Sequence, residues 1–142
     1  MSVFSKAFSG KSSVIRSEIG VASSLAEEEA GSSQVQCSAI WDTGANGTTI
    51  SLKVAERLGL VAISHVTVET ANGKCDAPIY LIDVVLPNGC SVKRIEAMGT
   101  NLNICDALIG MDIMTRGDVL ITNAPNTRFE FRLPSKGAPS LK

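Results

Sequence analysis

One carboxylate stands apart in the run Ala39-Ile40-Trp41-Asp42-Thr43-Gly44-Ala45-Asn46. Three apolar residues lead straight into Asp42, and small residues follow it. Asp is poor strand material and is rarely buried without a partner. A carboxylate at the end of an apolar strand can open a turn by accepting hydrogen bonds from the backbone just after it. It can also serve as an acid–base group, with small neighbours that let another backbone approach closely. Other chemistry has less support. His65 is the only histidine, so a histidine-cluster metal site is excluded, and no nucleophile motif lies beside it. Cys37, Cys75, Cys90 and Cys105 are widely spaced and form no CxxC pair, which argues against a zinc site. They read as reduced, buried thiols of a cytoplasmic protein. No metal and no cofactor is expected.

The chain that must position Asp42 has 142 residues, enough for one domain with a real core, and 44% of them are hydrophobic. A net charge of −1 gives no electrostatic footprint for nucleic acid, and Trp41 and Tyr80 are single examples of their kinds, so no base-stacking array exists. The N-terminal run lacks the apolar core of a secretory signal, and no apolar stretch is long enough to span a membrane.

Residues 1–13 are rich in Ser, Lys and Gly and are expected to be loose, 14–133 to form the domain, and 134–142 to be a flexible tail. Strands are expected at Val14–Ala22 and Val35–Trp41, joined by an acidic connector with Glu27, Glu28 and Glu29. One helix is well signalled. Ser51 can cap it, Val54 and Leu58 share a face, Gly59 can end it in the left-handed conformation, and Leu60 can fold back. The rest reads as β. Val66–Thr70 alternates, Tyr80, Ile82, Val84 and Leu86 fall on one face, and Pro87-Asn88-Gly89 is a turn. Asp118–Thr122 is a short strand, and Arg128–Leu133 alternates with Phe129, Phe131 and Leu133 on one side. The class is mostly β, at least seven short strands with one or two short helices, which implies a small closed barrel or a sandwich.

The segment Ala39–Ala45 resembles the active-site loop of aspartic proteases, and more closely that of the single-domain retropepsin-like family than the bilobed pepsin type. Ala107-Leu108-Ile109-Gly110-Met111-Asp112-Ile113-Met114 resembles that family's hydrophobic-hydrophobic-glycine stretch, which leads into a short helix. Between them, Val68–Lys74 looks like the tip of a β-hairpin at the place of the family's flap. The three features keep the family's order and span about Val35 to Leu133. The resemblance implies a small closed β-barrel of the retropepsin type and an aspartic endopeptidase. Peptide hydrolysis needs an activated water and a protonated leaving amine, which two carboxyls sharing one proton can supply. Asp76, Asp83, Asp106, Asp112 and Asp118 lack a following Thr-Gly, so a homodimer with one Asp42 from each subunit is the simplest source of two. Asp42 is then catalytic, and Thr43 and Gly44 lock the two loops together. Gly44, Ala45, Asn46, Ala71, Asn72, Gly73 and Ile109 are expected to hold an extended peptide or protein substrate. Arg128–Leu133 is the candidate for subunit pairing.

Two departures separate the chain from retroviral members and bring it closer to cellular or bacterial ones. Asn46 stands where they carry an acid, and Met111 where they carry an arginine. The ion pair that braces their site must be missing or rebuilt, with Asp112 the candidate. Three rival readings remain. Asp42 can be a plain turn residue. Asp42-Thr43-Gly44-Ala45-Asn46-Gly47-Thr48 loosely matches the phosphate loop of actin-like ATPases, which are much longer two-domain proteins. From a different class, a retropepsin-like dimer can hold peptides, or serve assembly, without cutting.

Overall fold

A computed structural model describes residues 2–25, 33–138, 140 and 141. The acidic connector at Glu27, Glu28 and Glu29 lies outside them. Ten strands and two helices run in the order β1 (Ser2–Ala7), β2 (Arg16–Ser23), β3 (Gln34–Trp41), β4 (Thr49–Ser51), α1 (Leu52–Leu58), β5 (Ser64–Thr70), β6 (Gly73–Val85), β7 (Ser91–Thr100), β8 (Ala107–Ile109), α2 (Met111–Met114), β9 (Asp118–Thr122) and β10 (Arg128–Leu133). The barrel follows the order β2-β3-β8-β4-β7-β6 and closes through β2–β6 pairing. Most neighbours are antiparallel, but β3 pairs β8 in parallel with Trp41 beside Ile109, and β4 pairs β7 in parallel.

Apolar side chains explain the closure. Ile19, Val21, Ala39, Ile50, Ile82, Val84, Ala97, Ala107 and Ile109 all point inward with at most 1% of their surface exposed. Each large aliphatic side chain buried this way contributes about 1.5–3 kcal/mol. Strand β6 is longer than the barrel needs. Its second half, from Ile79, pairs with β7, while its first half leaves the barrel and pairs with β5 as a hairpin. Apart from Val68 and the base at Ala77–Ile79, the hairpin is solvent-exposed.

Helix α1 forms as its sequence signals. The Ser51 hydroxyl accepts from the Lys53 and Val54 N–H groups, and Gly59 closes the helix at φ 63°. The Leu60 N–H then bonds the Ala55 carbonyl. A second sheet, β1-β10-β9, packs on the barrel wall behind Asp42. Phe4, Phe129 and Phe131 from this sheet surround Trp41, with ring centroids 6.3, 4.8 and 5.2 Å from its own. The Trp41 indole N–H donates to the Ser17 hydroxyl at 2.9 Å.

Three expectations change. Within the stretch 1–13 expected to be loose, Ser2–Ala7 pairs along β10, and residues 8, 10 and 12 bond Thr127. Only Phe4 of β1 is buried, so the strand shows little apolar alternation. The start of the tail is also tied down. Asp118 accepts from the Ser135 hydroxyl, the Lys136 N–H and the Arg132 guanidinium, and these bonds, in that order of weight, hold its carboxyl down to about 2. Finally, β10 lies between β1 and β9, so both edges of Arg128–Leu133 are already used. That strand is not free to pair with another subunit.

The cysteines split two ways. Cys37 and Cys105 are buried, and burial pushes the Cys37 thiol up to about 11 and raises that of Cys105. These are inert thiols. Cys75 is exposed and Cys90 half-buried, contrary to the expectation that all four are buried. No helix among the described residues is long and apolar enough to cross a membrane.

Candidate active site

Strand β3 delivers Asp42 to the end of the barrel, where β8 runs alongside and fixes it. The Asp42 N–H donates to the Ile109 carbonyl at 2.9 Å, and the preceding Trp41 N–H donates to the Ile15 carbonyl at 2.9 Å. The chain then turns sharply. The Ala45 N–H bonds the Asp42 carbonyl at 3.1 Å, and the Gly44 N–H donates to Asp42 Oδ1 at 2.9 Å. A Cβ on Gly44 would sit 3.2 Å from that same oxygen, so a side chain there would crowd the carboxylate.

The loop is braced from the far end of the sequence. The Met111 N–H bonds the Ala45 carbonyl at 2.8 Å, and the Asp112 N–H bonds the Asn46 carbonyl at 3.1 Å. The Asp112 carboxylate accepts from the Thr48 hydroxyl at 2.7 Å and from the Thr48 N–H at 3.0 Å. The same hydroxyl accepts from the Gly110 N–H at 3.2 Å. Asp112 and Thr48 thus tie the segment after Gly110 to the loop after Asp42 by hydrogen bonds, with no ion pair at Asp112 among the described residues. Thr48 is the part sequence reasoning missed. A hydroxyl 64 residues from its carboxylate partner leaves no local spacing signal. Replacing Asp112 with Ala strips the buried Thr48 hydroxyl and N–H of their acceptor. The expected cost is about 1–3 kcal/mol for each group left unsatisfied, read as a lower denaturation midpoint.

The other aspartates are committed to the fold. Asp76 accepts from Thr67, Asp83 from the Arg94 N–H, Asp106 from the Ser38 N–H, Asp112 from Thr48 and Asp118 from Arg132. Asp42 differs. It is half-buried, and among the described residues its carboxylate accepts only the Gly44 N–H from its own turn. Its second oxygen accepts no hydrogen bond among the described residues. The cleft it opens into is lined by Ser13, Val14, Ile15, Ile40, Thr43 and Ile121, with Trp41 behind, and no second acid lines it among the described residues.

The remaining site candidates fall into three places. Thr43, Gly44 and Asn46 are exposed on the loop, and Ala45 is half-buried in it. Ala71, Asn72 and Gly73 sit at the exposed hairpin tip, where the two-residue turn Ala71-Asn72 is closed by Gly73 at φ 108° and by the Thr70 hydroxyl donating to the Gly73 carbonyl. No hydrogen bond joins the tip to the Asp42 loop among the described residues. Ile109 has no exposed surface, so its side chain is a support and does not line the site. Its carbonyl holds Asp42 instead.

The family described as "gag-polyprotein putative aspartyl protease" matches residues 32–116, more than half of the chain. The chain belongs to this family. The match runs from the start of β3 to the end of α2, and so takes in Asp42, the hairpin and the Gly110 segment. Among solved structures, the fold is similar to a retropepsin-like aspartic protease from Rickettsia conorii, at 19% identity and a TM-score of 0.51, over 85% of this chain and 94% of that one. A simian foamy virus protease is also similar, at 16% identity and a TM-score of 0.47, over 68% of this chain and 89% of that one. No curated protein matches. The fold is thus the retropepsin-like barrel that the sequence implied, and the family is one of aspartyl proteases.

Proposed function

We propose that the protein is an aspartic endopeptidase whose active site takes one Asp42 from each of two identical subunits. The observation that carries this reading is the state of Asp42. Among the described residues, its carboxylate alone of the six aspartates' has no partner beyond its own turn, while its backbone is held at the barrel mouth by the bond from its N–H to the Ile109 carbonyl and by its own loop. One carboxylate can accept a proton from water but cannot also donate one to the carbonyl oxygen. Two brought together at a two-fold axis cannot both ionise easily, so they share a proton. The charged carboxyl takes a proton from the water as its oxygen attacks the scissile carbon. The protonated one donates to the carbonyl oxygen. When the tetrahedral adduct collapses, the C–N bond breaks and the amine leaves with a proton returned by the dyad.

The other residues take supporting roles. The exposed Thr43 hydroxyl bonds across the subunit contact. Gly44 leaves Asp42 uncrowded and gives the substrate backbone room, and Ala45 and Asn46 continue that edge. The peptide lies extended between this loop and the hairpin tip at Ala71-Asn72-Gly73, which closes over it and excludes water.

Incubation of the purified protein with an unbiased peptide library over a range of pH tests the reading. Cleavage with a bell-shaped profile on the acid side of neutrality is expected of a dyad that shares one proton. Activity rising steadily through about pH 9 would mean a different catalytic group. Tight binding of peptides with no cleavage at any pH would make the protein a binding module.

A further inference from the structure

We infer that the segment from Pro134 to Ala138 is a latch that restrains the pairing of two copies of this chain, an inference that rests on the two-subunit reading above. The segment leaves β10 and turns back to the start of β9, where one carboxylate holds it. Asp118 accepts from the Ser135 hydroxyl and from the Lys136 N–H, the latter at 2.7 Å. The Arg132 guanidinium donates to the same carboxylate at 2.7 Å and reaches the Gly137 carbonyl at 3.4 Å. Gly137 then takes φ 86°, a left-handed turn that glycine adopts at no steric cost. Pro134, Ser135, Lys136, Gly137 and Ala138 are all exposed, so polar bonds hold the segment in place. Exposed bonds of this kind each contribute little. A stretch that buries no apolar side chain opens and closes at low cost.

The latch stands beside the active-site loop. Gly137 and Ala138 form one wall of a groove of about 430 Å³, and Thr43, Met111, Met114 and Val119 line much of the rest. Thr43 lines both this groove and the Asp42 cleft. On the two-subunit reading its hydroxyl bonds across the contact, so a second chain must come within about 3 Å of it. With the latch closed, Gly137 and Ala138 occupy part of that approach. With it open, the Thr43 side of the groove is offered to the partner. The closed latch and the paired subunit therefore compete for one face. Only open chains pair, and because both copies must open, the penalty on the dimer enters twice. The barrel does not depend on the latch, since β10 and its pairing with β1 end at Leu133.

Two substitutions in the full chain test this. Ser135→Asp sets a second carboxylate against Asp118 and so opens the latch. Ser135→Thr keeps the hydroxyl and should behave as the wild type. Ser135→Asp is expected to lower the dimer dissociation constant in sedimentation by at least about fivefold, and to raise peptide cleavage at limiting concentration. At concentrations where every chain is paired, its turnover per site should match the wild type, because the substitution lies outside the Asp42 loop. Amide exchange followed by NMR gives an independent reading. Protection of the wild-type Lys136 N–H should fall as concentration rises and subunits pair, and protection that rises instead would overturn the inference. Emission from Trp41, enclosed by three phenylalanines, reports whether the fold is kept. If the wild type is a dimer that cleaves peptides, yet Ser135→Asp pairs no more tightly or pairs more weakly, only this inference falls. If the wild type and Ser135→Asp are both monomeric at every concentration and cut nothing, it and the two-subunit reading fall together.

Discussion

Asp42→Asn is expected to remove peptide cleavage while leaving the barrel and the subunit contact in place. Asparagine matches aspartate in size, and its side-chain oxygen can still accept the Gly44 N–H that shapes the turn. The bonds from Asp42 N–H to Ile109 and from Ala45 N–H to the residue 42 carbonyl belong to the backbone and survive. What is lost is the ability to take a proton from water and return it to the leaving amine. General acid–base catalysis by a single group is worth on the order of 10²–10⁴-fold, and here both halves of the dyad are removed at once. Turnover should fall by at least that much. The unfolding midpoint should hold, and the dimer should be no weaker, since two like charges no longer meet. Near-normal cleavage by this variant would mean that Asp42 is a turn residue and nothing more.

The second large effect is expected at Gly110, which no reacting atom touches. A Cβ there would lie 2.6 Å from both the carbonyl carbon and oxygen of Gly47, and 3.0 Å from the Ala45 carbonyl. These are backbone atoms of the active-site loop, not the ends of flexible side chains, so the loop must shift. Gly110→Ala should cost about 1–3 kcal/mol in stability from overpacking. The shift also strains the bonds from Met111 to Ala45 and from Thr48 to Asp112 that hold the loop in register. A misplacement of about 1 Å at a catalytic group can cost 10²-fold in rate. The variant should therefore lose activity at temperatures where circular dichroism still shows it folded. Wild-type stability and turnover would show that the two segments are not as tightly packed as their geometry requires.

Much of this was legible in the residues, and the misses have identifiable causes. Strands β9 and β10 and helix α1 were read within a residue of their bounds because their signals are local: strict alternation in β10, and a hydroxyl cap with a left-handed glycine at the two ends of α1. Strand β7 carries no such local signal. Its inward residues change parity, from Val92 to Ile95 and Ala97, because the ladder with β6 slips between Ile82 and Val84 and Arg94 adopts φ 59°. Alternation fails as a signal wherever a bulge flips the faces. Strands β4 and β8 are three residues each, too short to show a period. For the site, Asp42 and its loop were legible because small residues after an acid are a local pattern. The Thr48–Asp112 brace and the burial of Ile109 depend on which strands lie side by side. Pairing of β3 with β8 in parallel decides both, and that pairing is a property of the closed barrel.

A site made by two chains differs from a one-chain site in how it responds to subunit mixing. A fixed amount of wild-type protein is equilibrated with increasing amounts of Asp42→Asn before peptide is added. If every site needs two Asp42 carboxylates, mixed dimers are inactive, and cleavage must fall toward zero as the variant draws wild-type chains into them. Cleavage that stays constant however much variant is present would show that one chain carries the whole site.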